Sequence, residues 1–188
     1  MLTTPTRTLV ACLLAFLVST SLVGCGVLTA LRPTASVAPL RHFESDQKAQ
    51  EAAMELLPKY YAALDAVTMD GGMRPDRVYP YVTPNYRSNL NLAFEKMRND
   101  HLKTTGLTAI TRNLLIDYAE KNAGEAFVVV RLCLDLSHTR VLGAADDDET
   151  PATRLDHTAY DVSLTTSDGD ANRLYVASTR ARRDLGPC

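Results

Sequence analysis

The stretch VVVRLCLDLS, residues 128 to 137, alternates. Val128, Val130, Leu132, Leu134 and Leu136 fall on one parity and are all apolar, while Val129, Arg131, Cys133 and Asp135, with Phe127 before them, fall on the other. Successive side chains of a strand point to opposite faces. The segment therefore reads as a strand with one face in a core and Cys133 on the outer face. Moving outward, the period of two begins at Leu107, and four strands are expected over about 107 to 120, 125 to 142, 154 to 166 and 172 to 183. The turns between them are Asn122-Ala123-Gly124, the acidic loop AADDDETPAT and Ser167-Asp168-Gly169-Asp170. Short turns favour an antiparallel meander.

Before Leu107 the period is helical. Ser45 is a cap for a helix whose apolar and small residues recur near every 3.6 positions to about Met69, with Pro58 inside it as an expected kink. A short turn of helix is expected around Asp76 to Tyr81. Thr83-Pro84 then caps a second helix running to about Asp100, with Tyr86, Leu90, Phe94 and Met97 on one face. Helices followed by a long-stranded antiparallel sheet give an α+β domain with the helices packed on one sheet face.

The amino terminus follows a different logic. After MLTTPTR, the run from Thr8 to Gly24 carries no charge, the layout of an export signal and too short and diluted for a spanning helix. Leu22-Val23-Gly24-Cys25 resembles the lipobox of bacterial lipoproteins, which implies cleavage before Cys25 and lipidation of that cysteine. Buried acyl chains contribute about 0.8 kcal/mol per methylene, and the two or three chains that the resemblance implies would hold the protein at a membrane. An uncleaved signal anchor and a soluble secreted protein are the alternatives. Residues 1–24 are thus read as signal peptide and 25–44 as lipidated cysteine and flexible tether, with Pro33 and Pro39 stiffening it; from Gly26 to Arg41 it would span roughly 20 to 25 Å. Residues 45–188 form the domain.

Removing residues 1–24 takes away one charged residue, Arg7, so 19 basic residues face 22 acidic ones, formally −3. Nothing there resembles a nucleic-acid footprint. Cys133 and Cys188 remain for an oxidising compartment, where one pairing is available and a bridge is expected; two free thiols are the alternative.

The element order, the VVVRLCLDLS pattern and the cysteine at 188 resemble the nuclear transport factor 2-like, or cystatin-like, cone fold, and in particular its actinobacterial lipoprotein members. The resemblance implies a curved, cone-like sheet. It covers enzymes such as cyclases, dehydratases and hydrolases as well as non-catalytic binding and assembly domains, so fold alone does not assign an activity.

His157 and Asp161 share a face but stand four residues apart, roughly 13 Å, too far for a dyad; His157 reads as a solvated histidine, with a partner from a neighbouring strand, such as Asp135, as the alternative. Asp135, Ser137 and His138 alternate sides and cannot converge. The run Asp146-Asp147-Asp148-Glu149 reads as a solvated loop rather than a calcium site, and the Asp168, Asp170, Asn172 spacing lacks the glycine and glutamate of a calcium loop. No cofactor and no metal is expected. A ligand pocket, if formed, would be lined by Tyr60, Tyr81, Phe94, Tyr118 and Tyr160, with Tyr61 beside them; ordinary core packing accounts for the same residues and is preferred. Asp65 and Tyr160 are the acid-base candidates.

The expectation is a membrane-anchored, extracytoplasmic, non-catalytic domain that binds an envelope protein or a small apolar ligand, without nucleic acid. A cone-fold enzyme acting on a small hydrophobic substrate is the alternative, and an assembly subunit of a secretion or transport complex is a third reading.

Overall fold

The computed structural model describes residues 41–122, 124–167 and 170–188. The signal segment, Cys25, most of the tether, Ala123 and the Asp168-Gly169 turn lie outside the described residues.

Helix α1 (Asp46–Met69) starts where Ser45 Oγ accepts from the Lys48 amide, and helix α2 (Pro84–Asn99) where Thr83 Oγ1 accepts from the Tyr86 amide. Each hydroxyl satisfies an amide that has no partner within its helix. Helix α1 runs unbroken through Pro58. Two short 3-10 turns, Pro75–Arg77 and Tyr79–Tyr81, join the helices. The strands are β1 (Lys103–Thr105), β2 (Ala109–Asn122), β3 (Glu125–Asp135), β4 (Arg140–Leu142), β5 (His157–Ser167) and β6 (Asp170–Ala181). A four-stranded antiparallel sheet has the order β2-β3-β5-β6. Helices packed on that open sheet make the domain α+β, as the change of period implies. No helix among the described residues is long and apolar enough to cross a membrane.

One expected strand divides. The stretch 125 to 142 runs as strand only to Asp135, because the Asp135 carboxylate accepts from the Ser137 amide and Thr139 N–H turns back to Leu136 C=O at 2.9 Å. An aspartate bonding the backbone two residues on offers the chain a turn in place of a ladder. Residues 140–142 then pair with 103–105 in a separate two-stranded sheet. Gly106 permits this crossing, since a Cβ there would lie 2.0 Å from the carbonyl oxygen of His138.

The core follows the parity of β3. Val128, Val130, Leu132 and Leu134 are buried beside Val162 and Leu164 of β5 and Val176 of β6, under Leu57 and Tyr60 of α1 and Phe94 of α2. Full burial of each aliphatic side chain contributes about 1.5–3 kcal/mol relative to exposure. Gly72 lets the helices close on this core: a Cβ there would lie 2.5 Å from the Phe94 carbonyl oxygen.

Candidate functional site

The five aromatic residues expected to line a pocket occupy different places. Tyr60 and Phe94 are 1% and 2% exposed and fill the space between the helices and the sheet. Tyr118 and Tyr160 are half-buried at its margins. The Tyr118 hydroxyl accepts from the Phe43 amide at 2.8 Å and donates to Glu120, whose carboxylate also receives the His42 amide. The last residues of the stretch read as tether are thereby attached to β2. Tyr81 is the only one of the five on any of the three described clefts, one of about 380 Å³ that it shares with Phe43, Leu56, Lys59 and Arg173.

Tyrosine hydroxyls do gather inside the domain. Tyr60 and Tyr86 hydroxyls stand 3.5 Å apart, and that of Tyr86 lies 2.8 Å from Thr179 Oγ1. The Tyr61 ring meets Tyr60 edge to face at 5.0 Å, and its buried hydroxyl has no hydrogen-bond partner among the described residues. Burial pushes the Tyr60 and Tyr61 hydroxyls well above the usual tyrosine range. Both stay protonated at neutral pH and can donate a hydrogen bond, but neither is a base there.

Asp65, one of the two acid-base candidates, is held by structure. One carboxylate oxygen accepts from the Thr108 amide and the other from the Thr108 hydroxyl, both at 2.8 Å. It is the one buried carboxylate among the described residues. It ties α1 to the start of β2 and lines a small cleft together with Pro58, Tyr61 and Leu107. Tyr160, the other candidate, faces Leu132 across the sheet with no carboxylate or histidine opposite it.

On the outer sheet face, Asp135 and His157 are in register, yet His157 Nδ1 lies 3.8 Å from Asp135 Oδ1, beyond hydrogen-bond reach. The Ser137 hydrogen bonds, not the histidine, are the chief cause holding the Asp135 carboxyl below the usual range. Beside them, Asp161 binds Arg131 at two points and also accepts from Arg182, which reaches Asp184. Arg182 opens the tail that carries Cys188 to Cys133, and the structure joins these two cysteines with Cα atoms 5.8 Å apart. This arginine-aspartate chain was not legible in sequence. Its signal, Arg131 opposite Asp161, exists only once the β3–β5 register is known.

The acidic loop is engaged by cations of its own chain: Lys103 pairs with Asp146 at 2.6 Å, and Arg140 approaches Asp148 at 3.7 Å. No cluster of three metal-ligating side chains is found among the described residues.

No family model and no curated protein matches the chain. Among solved structures it is similar to the intermembrane space region of the chloroplast protein ARC6, at 10% identity and a TM-score of 0.46, over 70% of this chain and 94% of that one. It is also similar to a periplasmic fragment of TraM, at 11% identity and a TM-score of 0.44, over 71% and 96%. Likenesses of that degree decide nothing about activity or partners.

Proposed function

We propose that this protein is exported, cleaved before Cys25 and held by lipid on the extracytoplasmic face of a cell membrane, where its domain binds protein and performs no catalysis. The resemblance to bacterial lipoproteins with a nuclear transport factor 2-like domain underlies the first half. It accords with a chain in which Cys133 and Cys188 are bridged, since such bonds persist in oxidising compartments.

The observation that carries the second half is the state of the interior. Tyr60 and Phe94 occupy the volume in which a substrate would sit, and both oxygens of Asp65 are committed to Thr108. Acid-base catalysis needs a titratable group within reach of a substrate proton; here the buried carboxylate serves the backbone instead. What the domain offers is surface: shallow clefts, a long exposed strand and a charged outer face.

Two measurements test the reading. Mass spectrometry of the native protein should find an acylated cysteine at residue 25 as the first residue, and Cys25→Ser should release the protein from the membrane fraction. An intact amino terminus, or unchanged fractionation of the variant, overturns the anchor. Turnover of a hydrophobic ester or epoxide that Asp65→Asn abolishes in a folded protein would overturn the non-catalytic assignment.

A further inference from the structure

The two edges of the main sheet differ. On β6, the Thr83 amide bonds the Val176 carbonyl at 3.0 Å and Val82 forms a parallel bridge to the same residue, so the start of α2 covers that edge. Strand β2, at fourteen residues the longest in the sheet, has no strand beyond it among the described residues. An open edge is a row of backbone donors and acceptors ready for another strand.

Several features fit this edge for one partner in one register. The ladder with β3 shifts between Ile110 and Arg112, between Leu115 and Asp117, and between Glu120 and Asn122, which leaves Thr111, Ile116 and Lys121 as bulged residues. Bulges bend a strand and interrupt pairing. The bulge at Thr111 ends any added strand at Arg112, whereas a featureless edge would allow slippage. The central one corrects the parity of the side chains. Arg112, Leu114 and Asp117 lie opposite Cys133, Arg131 and Val129, evenly spaced at two partner residues and all on the outer face. Leu114 therefore stands midway between a cation and an anion. It is 59% exposed, and Ile116 beside it is 42% exposed.

That pattern is complementary to itself. Placing a second copy antiparallel along β2, with a two-fold axis at Leu114, sets Leu114 against Leu114, and Arg112 of each copy against Asp117 of the other. Two-fold contacts use the same patch on both subunits, so a self-complementary strand meets the requirement twice. Directly opposed unlike charges stabilise an antiparallel pair and like charges oppose it.

We propose that β2 is a homodimerisation edge, pairing with β2 of a second copy about Leu114 to form a continuous eight-stranded sheet. This deepens the interaction reading above by naming the partner, and it rests on the anchor for local concentration: copies tethered to one surface meet far more often than free ones, so a modest interface suffices.

The test uses the full chain in its native membranes. Leu114→Cys should give an oxidative crosslink at twice the monomer mass, and Ser178→Cys, exposed on β6, should not. Arg112→Asp and Asp117→Arg, made singly in the Leu114→Cys background, should each reduce the crosslink about tenfold, and the two together should restore it. Equal crosslinking from positions 114 and 178, or a crosslink indifferent to the charge reversals, overturns the proposal. A membrane-held protein with no crosslink overturns the pairing and leaves the anchor standing. A protein lost to the soluble fraction that still crosslinks through position 114 supports the pairing and removes the anchor. Circular dichroism of each variant checks that these exposed substitutions leave the fold intact.

Discussion

Asp161 grips Arg131 from the neighbouring strand at two points, Oδ1 to Nε at 2.6 Å and Oδ2 to Nη2 at 3.0 Å. Paired planar groups of this kind are stronger than single hydrogen bonds, and Asp161, with its side chain 16% exposed, is shielded from much of the screening at an open surface. Asp161→Ala should destabilise the fold by about 2 kcal/mol at neutral pH, with two guanidinium groups left short of a partner. The Arg131 hydrogen bond holds the Asp161 carboxyl below the usual range, against its part burial, and Arg182 acts with Arg131. A carboxyl depressed in the folded state stabilises above its unfolded value, about pH 4, and loses that contribution as pH falls through the folded value. Urea midpoints taken from neutral pH downward should fall more steeply below about pH 4 in the native protein than in Asp161→Asn.

The bridge from Cys133 to Cys188 spans 55 residues. Closing a loop of that length removes unfolded-state entropy worth about 4 kcal/mol. A reductant, or Cys133→Ser with Cys188→Ser, should lower the denaturant midpoint by a matching amount. An unchanged midpoint would mean that the pair contributes nothing to stability.

Tyr61 presents a buried hydroxyl with no partner among the described residues. Such a group costs about 1–3 kcal/mol. Tyr61→Phe should therefore leave stability unchanged or raise the melting temperature by a few degrees. A loss of stability would reveal a partner for that hydroxyl.

Asp65 behaves in the opposite sense. Asp65→Ala removes both acceptors from Thr108 and should cost about 2–3 kcal/mol, measured by thermal unfolding. Asp65→Asn keeps one acceptor and should cost less.

Helices α1 and α2 end alike. The amide two residues past each cap reaches back into the last turn, Gly72 to Val67 and Leu102 to Met97, both at 2.9 Å. The intervening left-handed residue is Gly71 in α1 but His101, at φ 55°, in α2. A side chain in that conformation costs about 1–2 kcal/mol. His101→Gly should stabilise the protein by about 1 kcal/mol, and a fall in melting temperature would contradict the assignment.

The aspartate turn at 135 to 139 shows where the sequence stopped being legible. The alternation that begins at Val128 marks a strand, but nothing in it shows that Asp135 will accept from Ser137 and end the ladder. Once the chain turns there, Arg140–Leu142 is free to pair with Lys103–Thr105, a contact between segments more than thirty residues apart. The caps at Ser45 and Thr83 and the faces of β3 and β5 were readable because each depends on residues within a few positions.

The amino-acid order by itself determined the helices, their starting points, the two faces of the sheet and the outward placement of Cys133. These follow from local geometry: a period of 3.6 or of two, and a hydroxyl within reach of the next turn. Tertiary structure alone decided that Asp65 serves Thr108, that Asp161 meets both Arg131 and Arg182, and that among the described residues β2 keeps an open edge while β6 does not. Those outcomes depend on strand order and register, which emerge when distant segments compete for the same core.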